Sequence, residues 1–172
     1  MTSENIKQQS LARTALIDAT LVATACLIPA VSHLLTLPLY KLNPMLMVIA
    51  AGLLLTRSRW NAYLLALVVP FATCLLAGMP TPLGALCMVC EYTVLVTVFN
   101  ITGSRTGFWG MFGSILAAVV AGKVVYYFAK WLLLQPYQLI GTSIVWQIVS
   151  MLAISAAFAF LWCKKKQINN VT

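Results

Sequence analysis

The sequence predicts an all-α fold, a bundle of six transmembrane helices with both termini cytoplasmic. Three observations carry this. Of 172 residues, 62% are hydrophobic and 8% charged, against about 45–50% and about 25% in soluble domains, and the mean hydropathy is +0.94. The apolar residues fall into six runs divided by polar, Pro- or Gly-bearing breaks, most of them near the ~20 residues that a membrane span needs. The net charge of +8 comes from basic residues gathered at the ends of those runs, which is the orientation signal of membrane proteins. A nucleic-acid surface would instead show a basic stripe interleaved with aromatics. The chain reads as one integral-membrane domain, 1–172, with no room for an added soluble domain.

Residues 1–11 form a polar arm without a cleavable signal, so the first apolar run is expected to be retained. Span 1 covers about 12–36. A turn with Pro38 and Pro44 leads to span 2, about 43–56, which is short and therefore little tilted, shielded by neighbours or partly re-entrant. Arg57 and Arg59 end it. Span 3 covers about 60–77, with Pro70 as an expected kink, and the break GMPTP follows. Span 4 covers about 83–102, GSRTG breaks the chain, and span 5 runs over about 108–134. QPYQ precedes span 6, about 139–163, which ends at Lys164, Lys165 and Lys166. With the N-terminus inside, the inner side holds Lys7, Arg13, Arg57, Arg59, Arg105 and the three terminal lysines, and the outer side holds Lys41 alone. That asymmetry sets the orientation.

Glu91 lies in span 4 between runs free of Lys, Arg, Asp and Glu. A carboxylate at that depth costs about 3 kcal/mol or more to insert, so such a group faces a partner, a cavity or a ligand. Lys123 and Lys130 raise the same question in span 5. At 1.5 Å per residue, Glu91, Lys123 and Gln147 of span 6 fall about 12–16 Å below the outer edge, in one layer. Lys123, Tyr126, Tyr127, Lys130 and Trp131 follow i, i+3, i+4, i+7 and i+8, one helical face. Two lysines with aromatics between them suit an organic anion or zwitterion with a planar part. The rival reading is a structural Glu91–Lys123 pair, with Lys130 snorkelling to the headgroups. His33, at the top of span 1, and Met79, after span 3, are further candidates near the outer mouth.

Ala15, Ala19 and Ala23 repeat at four-residue spacing, which lets another helix approach closely. Asp18 beside them is placed to pair with Arg13 or to meet inner water. Cys87 and Cys90 form a C-x-x-C, but no second cysteine pair stands on a loop to exchange with it. The cysteines read as small buried hydrophobes. His33 is the only histidine, so no metal site and no cofactor is expected. Gly122-Lys123 lacks the rest of a phosphate-binding loop, and neither H-E-x-x-H nor G-x-S-x-G occurs.

The alanine motif of Ala15, Ala19 and Ala23 in a six-span chain of this length resembles the substrate-binding S-components of energy-coupling-factor vitamin transporters. The stretch AGMPTPLGALCMVCEYTVLVTVFN is similar to the loop and fourth span of one large subfamily. AGKVVYYFAKWLLL and Gln147 resemble its fifth and sixth spans. The span-4 cysteines and Lys123 depart from that pattern. The resemblance implies a non-catalytic, multi-pass subunit of the bacterial plasma membrane. It implies capture of a small water-soluble vitamin or precursor from outside, with a transmembrane coupling subunit docked on the alanine face and two ATPase subunits supplying the work. Glu91, Lys123, Tyr127 and Gln147 are the expected binding residues, with Lys130, Trp131, His33 and Met79 around them. The partners expected are therefore substrate, those subunits and membrane lipid, with no nucleic acid. The rival functions are a stand-alone proton-coupled transporter using Asp18 and Glu91, a membrane thiol oxidoreductase using Cys87 and Cys90, and a purely structural assembly subunit.

Overall fold

A computed structural model describes the backbone of residues 3–34, 43–56, 59–103, 107–133 and 144–171. Six helices follow one another: α1 (Ser3–Leu34), α2 (Pro44–Leu55), α3 (Arg59–Ala77), α4 (Pro82–Thr102), α5 (Phe108–Leu133) and α6 (Ile144–Val171). No strand occurs among the described residues. All but α2 are long and apolar enough to cross a membrane, so the chain is built as a multi-pass membrane protein.

The helix ends follow local chemistry. Thr81 caps α4, its hydroxyl accepting from the Gly84 N–H at 3.3 Å, and Pro82 opens the first turn, where a missing N–H costs nothing. Gly103 closes α4 by donating its N–H to the Phe99 carbonyl at 2.7 Å. Gly107, at φ +94°, takes the left-handed conformation that starts α5. Hydroxyls along the apolar helices return to their own helix, as Thr20 to Leu16, Thr73 to Val69 and Thr97 to Thr93.

Two boundaries depart from the sequence expectation. The polar arm is not separate: from Ser3 the helix runs unbroken into span 1, because no Pro or Gly interrupts residues 3–12. At the other end α6 continues through Lys164–Lys166 to Val171. Residues 35–36 of the expected first span, 134 of the fifth and 139–143 of the sixth lie outside the described residues.

Contacts give the direction of every helix. Asp18 meets Asn61, and Leu21 and Leu65 both pack on Gly52, so α1 and α3 run parallel with α2 returning between them. Tyr63 reaches Thr97 at 3.1 Å, near the start of α3 and the end of α4. Ser114 donates to the Thr102 carbonyl at 2.9 Å, while Glu91 meets Gly122 and Lys123, so α4 and α5 are antiparallel. Tyr127 with Gln147, and Lys165 with the Leu54 carbonyl, run α6 back. The six helices therefore alternate, and α2, α4 and α6 end together where α3 and α5 begin. This is called here the basic end, after Lys164–Lys166.

α2 settles how the short span is accommodated. Its 12 residues reach about 18 Å, against ~30 Å of hydrocarbon. It ends beside Lys165 and starts at Asn43, whose carboxamide oxygen accepts from the Tyr92 hydroxyl at 3.4 Å. Tyr92 is halfway along α4, so α2 occupies the half of the bundle nearest the basic end. Neighbours shield it: Leu46, Val48, Ile49, Ala50, Gly52 and Leu53 are buried.

The tightest helix pair is α4 with α5. Ser114, Ala118 and Gly122 repeat every four residues along α5, and all three are buried. Small residues at this spacing bring two backbones together. A Cβ on Gly122 would stand 2.8 Å from the Glu91 carbonyl oxygen. Below this contact Phe99 packs edge-on against Phe158 and Trp162, at 5.3 and 5.9 Å between centroids.

Gly122→Leu is therefore expected to destabilise the bundle by about 1–3 kcal/mol, the usual cost of overpacking. Thermal unfolding in detergent should register it as a fall of about 3 °C or more. Gly113→Ala, where a Cβ meets nothing within 4 Å, should leave the transition unmoved.

Candidate functional site

The site grows from the α4–α5 contact. Close approach at Gly122 puts the next residue, Lys123, against α4, and its ammonium stands 2.6 Å from Glu91 Oε1. Glu91 is 1% exposed and the Lys123 side chain 16%. The carboxylate is nine residues into α4 and the ammonium ten residues from the end of α5, about 14–15 Å from either end. An ion pair at that depth neutralises two charges that hydrocarbon could not solvate singly. Glu91 Oε2 has no hydrogen-bond partner among the described residues.

Aromatic rings extend the pair. The Lys123 ammonium lies 4.9 Å from the Tyr126 ring centroid, and that of Lys130 lies 5.8 Å from the same ring, both within cation–π range. Tyr126 meets Tyr127 edge-on at 5.4 Å. The Tyr127 hydroxyl donates to Gln147 Oε1 at 2.5 Å, joining α5 to α6. The structure thus brings Glu91, Lys123, Lys130, Tyr127 and Gln147 into one polar chain across three helices, with formal charges of −1 and +2. Cys87, one turn before Glu91 and buried, lies within electrostatic reach of Lys130.

Other predicted residues stand apart. Trp131 is 59% exposed and tilts against Phe128 at 6.2 Å, facing away from the ion pair. The helical arc explains this: Lys130 lies about 20° from Lys123 around the axis, but Trp131 about 80° to the other side and about 140° from Tyr126. Met79 is 60% exposed in the turn between α3 and α4, off the ion-pair layer. The side chain of His33 lies outside the described residues. Ala15, Ala19 and Ala23 all lie on the exposed face of α1.

Asp18 corrects a sequence expectation. It takes a hydrogen bond from the Asn61 carboxamide of α3 at 2.6 Å rather than pairing with Arg13, because α3 starts alongside this turn of α1. The five cysteines are free thiols. Among the described residues no group of three His, Cys, Asp or Glu could hold a metal.

Sequence reasoning missed the roles of Tyr92 and Asn43, which tie α2 to the layer of the ion pair. No local pattern announces a contact between residues 49 positions apart. Tyr126 was legible as part of the span-5 face, but not as the ring standing between two cations.

Removing one member of a buried pair strands the other, at about 3–5 kcal/mol. Glu91→Leu alone is therefore expected to unfold at lower temperature than the double variant Glu91→Leu/Lys123→Met. A double-mutant cycle by thermal unfolding checks this, and additive effects would show that the two groups do not depend on each other.

Comparison of the chain with protein-family models, curated proteins and solved structures finds no match.

Proposed function

We propose that this protein is the substrate-capture subunit of an energy-coupling-factor-type importer, holding a small water-soluble vitamin or precursor in the layer of Glu91, Lys123, Tyr127 and Gln147. One observation carries the reading: the Glu91–Lys123 pair and a tyrosine–glutamine pair share one layer of a membrane bundle, and Lys130, about 10 Å further along α5, reaches the same aromatic ring as Lys123. Intramembrane charges of this kind mark substrate pathways more often than scaffolding. Lys123 and Lys130 suit a carboxylate or phosphate, and Tyr126 suits a planar or apolar part. In a site of reduced dielectric each paired charge counts for more than in water.

The chain itself performs no catalysis in this reading. The exposed small-residue face of Ala15, Ala19 and Ala23 is the docking surface for a transmembrane coupling subunit, with two ATPase subunits beyond it. Transport requires the site's preference to differ between outward and inward states, because a ligand shifts a conformational balance only by its differential affinity. The membrane is the plasma membrane of a bacterium. The carboxylate pair needed for a proton-coupled rival is not favoured, since Asp18, midway along α1 and beside the start of α3 where Asn61 holds one of its oxygens, lies in a polar group separate from the ion pair.

Purification from native membranes in mild detergent should co-isolate a membrane subunit and two ATPases. Ala19→Leu should cut their recovery at least fivefold without lowering the thermal stability of the isolated chain. Substrate uptake that persists in cells lacking those subunits would overturn the assignment. For the compound found in the purified protein by mass spectrometry, Lys123→Met should weaken binding at least tenfold in titration calorimetry on the folded fraction.

A further inference from the structure

We infer that four tryptophans of this chain form two lipid-contact belts, one at each headgroup boundary of the bilayer, and that the surface they bound, on α3, α5 and α6, is covered by phospholipid. The inference concerns the outside of the bundle and is independent of the capture reading.

The chain has five tryptophans. Trp60 and Trp109 open α3 and α5 at the basic end, and Trp131 and Trp146 stand at the other end, where α5 finishes and α6 starts. All four are exposed. The fifth, Trp162, stands just before Lys164–Lys166 and turns inward onto Phe99 and Phe158. An indole has a large apolar ring and an N–H that needs an acceptor. Hydrocarbon supplies no acceptor and water no apolar contact, whereas the headgroup boundary supplies both.

The spacing matches a bilayer. Trp109 and Trp131 are about 33 Å apart along α5, which at the usual tilt of ~20° covers about 31 Å of thickness, against ~30 Å of hydrocarbon. Between the two levels the outer faces are apolar, with Leu64, Leu67 and Phe71 exposed on α3, Val124 and Phe128 on α5 and Leu152 on α6. Just outside the basic-end level, Lys164 and Lys166 are exposed, where phosphates lie within reach of their stems. Lys165 instead turns in to the Leu54 carbonyl. A protein-docking patch gathers its aromatic anchors in one place; these stand on three helices at two levels. α1 carries no Trp, Tyr or Phe from Ser3 to Leu34, so the belts stop short of it. The belts also set the depth of the ion pair: Lys123 lies about 12 Å along α5 from Trp131 and about 21 Å from Trp109, in the leaflet away from the basic end.

The test is tryptophan fluorescence of the full chain in phosphatidylcholine vesicles whose acyl chains carry bromine either near the glycerol or near the chain end. Variants in which Trp→Phe changes leave one native tryptophan read each position separately. The expected result is quenching at least twofold stronger by the near-glycerol bromine for Trp60, Trp109, Trp131 and Trp146 alike. A ratio below two at any of the four overturns the belts. A tryptophan that neither lipid quenches and aqueous iodide does not reach lies against protein, and overturns them in favour of a partner surface. If the single-tryptophan variants fail to fold, Trp60→Phe, Trp109→Phe, Trp131→Phe and Trp146→Phe made one at a time report the same ratios through the quenching each removes.

Discussion

Two opposite charges held far from water constrain everything around them. Glu91 and Lys123 need each other within hydrogen-bonding distance, because neither ion is tolerable in hydrocarbon alone. A lysine stem is long, so such a pair could be met loosely. Here it is met tightly, and the reason lies one residue earlier. Ser114, Ala118 and Gly122 strip α5 of bulk along one line, and the backbones of α4 and α5 close until a single methyl at Gly122 would strike the Glu91 carbonyl. Steric thinning and charge pairing act on the same turn. Each makes the other possible.

From that turn a polar thread leads outward through Tyr126, Tyr127 and Gln147 into α6, and through the neighbouring Tyr92 into α2. A second, separate polar group lies towards the basic end: Asp18 with Asn61, and Tyr63 with Thr97. On the basic-end side of the ion pair, Leu95, Val96, Phe99 and Phe158 fill the interior. The two groups differ in charge: the upper one gathers Glu91 with Lys123 and Lys130, while the lower one holds a single carboxylate, Asp18, with one oxygen taken by Asn61 and the other buried without a partner among the described residues.

Much of this was legible in the sequence. Apolar runs and their breakers give the six helices, because Pro, Gly and basic clusters leave few places to turn. Glu91 and Lys123 announce themselves because ions are rare inside such runs. The helical extension of α1 into SENIKQQS was not legible, since polarity suggests an arm while only the lack of a breaker allows a helix. Trp131 shares a spacing with Lys123 but sits at the edge of the arc, where a small rotation of α5 decides which way it faces. The small-residue spacing of span 5 was as readable as that of Ala15, Ala19 and Ala23. Spacing alone does not say which line meets a helix of the same chain and which is left exposed.

The brevity of α2 has a mechanical corollary. Among the described residues six helices fill the leaflet at the basic end and five fill the opposite one. A body of unequal cross-section displaces unequal lipid area in the two monolayers. Lateral pressure then acts on it as on a wedge, with a torque about the bilayer midplane that a straight-sided cylinder of the same sequence composition would not feel.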